Sequence, residues 1–259
     1  MSRPSTRHAA KDANAATAAA TDAAGGTVAV GVGEHAGIGE HAGEHVILLH
    51  GIACRPIFMR YIATKVAAAG YTTHNTGYPS RTAPIARLAD AAIGAAIRDC
   101  ENAGAKAVHF VTHSMGGILL RSYLARHSVP FPQGRAVMLA PPNHGSEVAD
   151  ALRSRWLFRK FFGAAGQELG TTPDATPNRL GPPPVGWEVG IIAGSRSCNF
   201  LFSTLWLPAP DDGTVSVAST HLEGMKDHCI IPATHTFMSR NRTVISQTLH
   251  FLHHGLFKH

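Results

Sequence analysis

The sequence predicts an α/β fold: a doubly wound, mainly parallel sheet of about six strands, with helices on both faces and a small cap insertion. Three observations carry this. Val46-Ile47-Leu48-Leu49 is an uninterrupted apolar run, the pattern of a strand covered on both faces. Val108, Phe110 and Val111 form a second apolar run, after which the spacing turns helical at Leu119, Leu120, Tyr123 and Leu124. Strand and helix patterns alternate from there to the end of the chain, which within one sheet implies right-handed crossovers.

Residues 1–45 differ from the rest. Alanine, glycine and threonine dominate, and such a segment buries too little surface to offset its ordering entropy, so it reads as a low-complexity, disordered arm. Residues 27–32 could pair as a weak edge strand. Gly33-Glu34-His35-Ala36-Gly37 and Gly39-Glu40-His41-Ala42-Gly43-Glu44-His45 form a small repeat. Its histidines could bind a metal, but no ligand spacing defines a site, and it reads as a repeat within a flexible arm.

The 259 residues suffice for one large α/β domain, expected over 46–259. Its first strand ends in His50-Gly51-Ile52-Ala53. Pro56 then opens a helix with Phe58, Ile62, Val66 and Ala69 inward, stopped by Gly70. Residues 71–76 read as a strand, Gly77-Tyr78-Pro79-Ser80 as a loop, and 84–102 as a helix burying Ile85, Leu88, Ala92 and Ala96. After the Val108 strand and its helix, residues 136–140 form a strand ended by Pro141-Pro142.

Residues 146–169 read as one helix in which Trp156, Phe158, Phe161 and Phe162 interleave with Arg153, Arg155, Arg159 and Lys160. Its apolar residues form no single stripe, so it is covered on two sides or leaves apolar surface uncovered. Residues 171–187 are proline-rich and without pattern. A long irregular loop inside a compact domain is usually functional, and 150–187 is expected to cap the active site. A strand over 188–193, a loop at 210–215, a last strand over 227–231 and a loop at 234–237 follow. The closing helix, 240–254, turns Val244, Ile245, Leu249 and Leu252 inward.

Net charge is +6 and no run approaches the roughly 18 apolar residues of a membrane span. No secretory signal is read, so a cytoplasmic location is expected. The basic balance fits a soluble basic surface and allows peripheral contact with anionic lipid. No basic run interleaved with aromatics and no zinc-finger spacing occurs, so no nucleic-acid partner is expected. Cys54, Cys100, Cys198 and Cys229 are scattered and read as free thiols, Cys54 lining the active-site rim.

The chemistry centres on Thr112-His113-Ser114-Met115-Gly116-Gly117, between a strand and a helix. A serine raised on so sharp a turn needs small neighbours, which Gly116 and Gly117 supply. Thr112 stands where the usual signature has its first glycine, and it crowds the turn. A serine hydroxyl is a poor nucleophile until a histidine takes its proton and a carboxylate holds that histidine. The chain supplies Ser114, Asp212 and His235 in that order, each in a loop after a predicted strand. The Met115 N–H, at a helix start, is placed to receive developing negative charge.

These pieces, with His50-Gly51-Ile52 and Pro142-Asn143-His144-Gly145-Ser146, span 46–257 and resemble the α/β-hydrolase superfamily, in particular its small bacterial lipases and esterases. The resemblance implies Asp212, which precedes Gly213, as the catalytic carboxylate rather than Asp211. It implies His235 as the base rather than His228, which lies in a predicted strand. It also implies Ile52, with Met115, as backbone donors of an oxyanion hole, with His50 bracing that loop and His113 packing beside the nucleophile. The activity implied is hydrolysis of small-molecule or lipid esters through an acyl-enzyme, with neither metal nor organic cofactor. The same triad serves an acyltransferase, a thioesterase or an amidase; a non-catalytic binding module is the reading from another class.

Overall fold

The computed structural model describes residues 39–132, 134–197 and 200–259, together with a two-residue antiparallel pairing of Ala20–Thr21 with Thr27–Val28. The remaining expectations for residues 1–38, including the first repeat copy, lie outside the described residues, as do those for Cys198 and for the side chains of Phe158 and Arg159.

Six strands form one sheet: β1 (Glu44–Leu49), β2 (Thr72–Thr76), β3 (Ala107–His113), β4 (Arg135–Leu139), β5 (Glu188–Gly194) and β6 (Asp227–Ile231). They run in the order β2-β1-β3-β4-β5-β6, and every pairing is parallel. The second repeat copy therefore runs straight into the sheet, because β1 begins at Glu44.

The apolar runs are continuous because both faces are covered. Ile47, Leu49, Val108, Phe110 and Met138 pack in one core cluster with α2 (Ile85–Asn102) and α3 (Met115–Leu124). Val46, Leu48, Val111, Val137 and Leu139 pack in the other with α1 (Arg60–Ala68) and the last helix, Arg242–His254. Each such fully buried side chain stabilises the fold by roughly 1.5–3 kcal/mol.

Strand order reverses between β1 and β3. In open parallel sheets the crevice beyond the carboxyl ends at such a switch point is where ligands bind. The His50 loop follows β1 and Ser114 follows β3, so the topology sets them side by side.

Three helices depart from expectation. Pro56 starts a tight 3-10 turn, Pro56–Phe58, and α1 begins only at Arg60. Met59 thereby takes the inward place, while Phe58 and Ala69 are exposed. The helix expected over 146–169 is two, α4 (Glu147–Leu152) and α5 (Trp156–Gln167), and α5 is kinked at Gly163 (φ 62°). A Cβ at Gly163 would meet the Arg81 carbonyl at 1.9 Å, so the kink follows from close backbone contact. Apolar surface is left uncovered there: Trp156 is 67% and Phe161 56% exposed. The closing helix starts at Arg242, where the Asn241 side chain accepts from the Thr243 and Val244 N–H groups, and a 3-10 turn, His235–Arg240, precedes it.

Three short helices were not expected: α6 (Thr176–Arg179) lies inside the segment read as a loop, and α7 (Phe200–Trp206) and α8 (Val217–Thr220) lie in stretches to which no element was assigned. With Arg242–His254 as α9, they complete the series. No helix among the described residues is long and apolar enough to cross a membrane.

Candidate active site

β3 ends at His113 and α3 begins at Met115, leaving Ser114 alone to make the turn. Its backbone, φ 54° and ψ −126°, lies outside the α and β regions, a conformation that costs about 1–3 kcal/mol and persists only when its surroundings enforce it. The enforcement is visible. The Ser114 N–H donates to the Leu139 carbonyl at the end of β4 (2.8 Å). A Cβ on Gly116 would stand 2.7 Å from the Leu49 carbonyl, so α3 approaches β1 closely enough to require glycine. Thr112, the residue that crowds the turn, is accommodated from the helix side: its Oγ1 would lie 3.3 Å from a Cβ on Gly117.

The two other expected side chains meet each other. His235 Nδ1 donates to Asp212 Oδ2 at 2.7 Å, and the His235 N–H donates to the Asp212 carbonyl at 3.0 Å. Asp212 is 1% exposed, and its Oδ1 accepts from the N–H groups of Thr214 (3.0 Å) and Val215 (2.8 Å). Gly194, ending β5, makes room: a Cβ there would collide with Asp212 Cβ and the Ala233 carbonyl. With Nδ1 donating, His235 Nε2 keeps a lone pair, the tautomer a general base needs.

The alternatives sit elsewhere. Asp211 accepts from the Gly213 N–H (2.8 Å) and the Ser203 hydroxyl (2.5 Å). His228 bonds Thr220 Oγ1 at 2.9 Å and stacks on His221. His113 links serine and histidine: its Nε2 donates to the His235 carbonyl (3.0 Å), and the two rings lie 4.8 Å apart. Among the described residues the Ser114 hydroxyl makes no hydrogen bond, to His235 or any other group. Such contacts often tighten only when substrate binds.

The Ile52 loop is braced from the loop that follows β2. His50 Nδ1 donates to the Gly51 carbonyl (2.8 Å), its ring stacks on Tyr78 (4.1 Å, 5°), and the Tyr78 hydroxyl donates to the His50 carbonyl. The Ala53 N–H, at φ 55°, donates to Ser80 Oγ (3.0 Å). Met115 is the first residue of α3, so its N–H has no intrahelical acceptor. α5 lies over this loop, with Ile52 Cδ1 3.3 Å from where a Gly166 Cβ would be. Burial pushes the half-buried Cys54 thiol pKa up, which fits a passive lining.

Tyr78, Ser80 and Arg121 were not singled out from sequence. Arg121 is 6% exposed on α3 and donates to the carbonyl (3.1 Å) and Oδ1 (3.2 Å) of Asn143 and to the carbonyls of Leu180 and Gly181. It ties the elbow helix to the segment expected to cap the site. A lone arginine inside an apolar helical pattern was the available signal.

Burial holds His50 and His228 at about 4 and His113 at about 3, so all three fold neutral. In the unfolded chain they titrate near 6.5. Between these values the unfolded chain binds more protons, so stability falls as pH falls through that window. The thermal midpoint is expected to hold above pH 7 and to drop between about pH 6.5 and 5, before most carboxylates titrate, with a slope of up to about three protons. A midpoint flat over that range by scanning fluorimetry would contradict neutral burial of these rings.

The sequence profile of the Alpha/beta hydrolase family matches residues 46–253. No curated protein matches the chain. Among solved structures, Bacillus licheniformis lipase BlEst2 in propeptide form is 20% identical with a TM-score of 0.62, covering 79% of this chain. The chain spans only 49% of that protein's length. The mature form of BlEst2 is 21% identical with a TM-score of 0.59, covering 80% of this chain and 88% of its own. The esterase EaEST from Exiguobacterium antarcticum is 15% identical with a TM-score of 0.57, covering 91% and 98%.

Proposed function

The chain belongs to the alpha/beta hydrolase family, and from that premise we propose that it is a serine hydrolase that cleaves carboxylic esters through an acyl-enzyme. The observation that carries the reading is the buried Asp212–His235 pair, whose free Nε2 belongs to the same loop edge as the strained Ser114. Ser114 Oγ attacks the ester carbonyl carbon while its proton passes to His235 Nε2. The oxyanion is held by the N–H groups of Ile52 and Met115, a type of donor whose loss costs about 100- to 1000-fold in rate. The C–O bond to the alcohol breaks as His235 returns the proton to it. Water, deprotonated by His235, then releases the acid and frees the serine.

An ester substrate is supported by lipases and esterases among the structural neighbours. The exposed Trp156 and Phe161 of α5, beside Lys160 and Arg155, favour an apolar acyl chain and contact with lipid surfaces over a wholly polar substrate. The segment 150–187 is the proposed cap, since α5 rests on Ile52 and on Arg81.

A fluorophosphonate probe tests this without guessing a substrate. Label is expected on Ser114 by peptide mapping, together with turnover of p-nitrophenyl esters that extends beyond butyrate. An unlabelled, inert protein would favour a binding module. Labelling with turnover only of thioesters or amides would move the reading to those bonds. Acyl transfer to an added alcohol in preference to water would mark an acyltransferase.

A further inference from the structure

At the opposite end of the sheet from Ser114, three residues with metal-ligand chemistry meet inside the fold. His45 lies near the start of β1, His74 in the edge strand β2, and Cys100 in the last turn of α2. They are 4%, 3% and 0% exposed. One ligand atom from each lies within 4.8 Å of the other two. The register explains the meeting. His45 pairs with Thr72 and Ile47 with His74, so both imidazoles stand on the face that packs against α2.

We propose that His45, His74 and Cys100 bind a zinc-type divalent transition metal that staples β1, β2 and α2 together. His45 Nδ1 and His74 Nε2 already face each other at 2.9 Å. Two nitrogens on one tetrahedral zinc stand about 3.3 Å apart, so a shift of a few tenths of an ångström brings the imidazole pair to that spacing, and the Cys100 sulfur closes on the ion from within 4.8 Å. Two imidazoles and a thiol form a borderline-soft donor set that selects zinc, cobalt or copper over calcium or magnesium, which need oxygen ligands. The ion displaces the Cys100 thiol proton, so the S–H bond breaks, a sulfur–metal bond forms and a proton leaves to solvent, with no change of oxidation state. One coordination position is left for water.

The site is distinct from the surface group of Glu40, His41 and His253, which holds no sulfur ligand. The test therefore reads sulfur. The full chain is expressed in cobalt-supplemented medium and dialysed against a chelator. About one retained equivalent of cobalt is expected, with a thiolate-to-cobalt charge-transfer band in the near ultraviolet. Cys100→Ala should lose the band and the metal. Cys100→Ser, which keeps the side chain's size, should lose the band even if Cys100→Ala does not fold. The His41→Ala, His253→Ala double variant should keep both. Absence of the band in the native chain, or its survival in either cysteine variant, overturns the proposal.

Discussion

Replacing Ser114 by alanine is expected to lower ester hydrolysis by about a millionfold while leaving the thermal midpoint close to that of the native chain. The two halves of this expectation come from different parts of the structure. The turn is imposed by backbone and glycines: the Ser114 N–H on the Leu139 carbonyl, and Gly116 against the Leu49 carbonyl. Alanine keeps both. The hydroxyl makes no hydrogen bond among the described residues, so its removal leaves no orphaned partner. Its loss removes the nucleophile entirely, and residual activity would come only from binding and the backbone N–H groups. Initial rates on p-nitrophenyl butyrate, with circular dichroism and the melting curve, check both halves. Activity within tenfold of native in a well-folded Ser114→Ala protein would end the serine-hydrolase reading.

What could be read from sequence was whatever a local steric or burial rule enforces. Val46-Ile47-Leu48-Leu49 is apolar at every position because helices cover both faces, and β1 falls there. Gly116 was legible because no Cβ fits beneath the elbow. Asp212 was singled out through the family resemblance alone, whose pattern sets the carboxylate ahead of a glycine, here Gly213 (φ 95°). What escaped depends on partners distant in sequence. Nothing near Pro79 says that Ser80 will hold the Ala53 N–H, or near Ser122 that Arg121 will reach Leu180. Phe58 was misplaced because periodicity counted from Pro56 assumes an α-helix, and the 3-10 turn shifts the inward position to Met59. The kink at Gly163 likewise depends on a distant partner, since contact with Arg81 rather than local propensity sets the backbone there. The small helices α6 and α8, four residues each, are too short for any periodic signal.

Asp212→Asn is the second variant with a large expected effect, and hydrogen-bond bookkeeping predicts how it fails. In the native chain one carboxylate oxygen accepts from Thr214 and Val215 N–H groups, and the other accepts from His235 Nδ1. An asparagine here has one oxygen and one amide nitrogen. The two backbone donors are buried and need an acceptor, so they hold the oxygen, and the NH2 group turns toward Nδ1. That nitrogen must then present a lone pair, which drives the imidazole proton to Nε2, the atom that must accept from Ser114. The ring stays in place, still tied by the His235 N–H to the carbonyl of residue 212 and by His113 to the His235 carbonyl. Activity at neutral pH is therefore expected to fall by about 10,000-fold with little change in KM. Asp211→Asn is the matched control, because Asp211 serves only Gly213 and Ser203, and it should stay within about tenfold of native. Nitrogen-15 shifts of the His235 ring separate a tautomer fault from simple unfolding: the Nδ1–H form in the native chain, the Nε2–H form in Asp212→Asn. If Asp211→Asn were the inactive variant and Asp212→Asn nearly native, the carboxylate role would pass to Asp211 and the buried pair would be structural only.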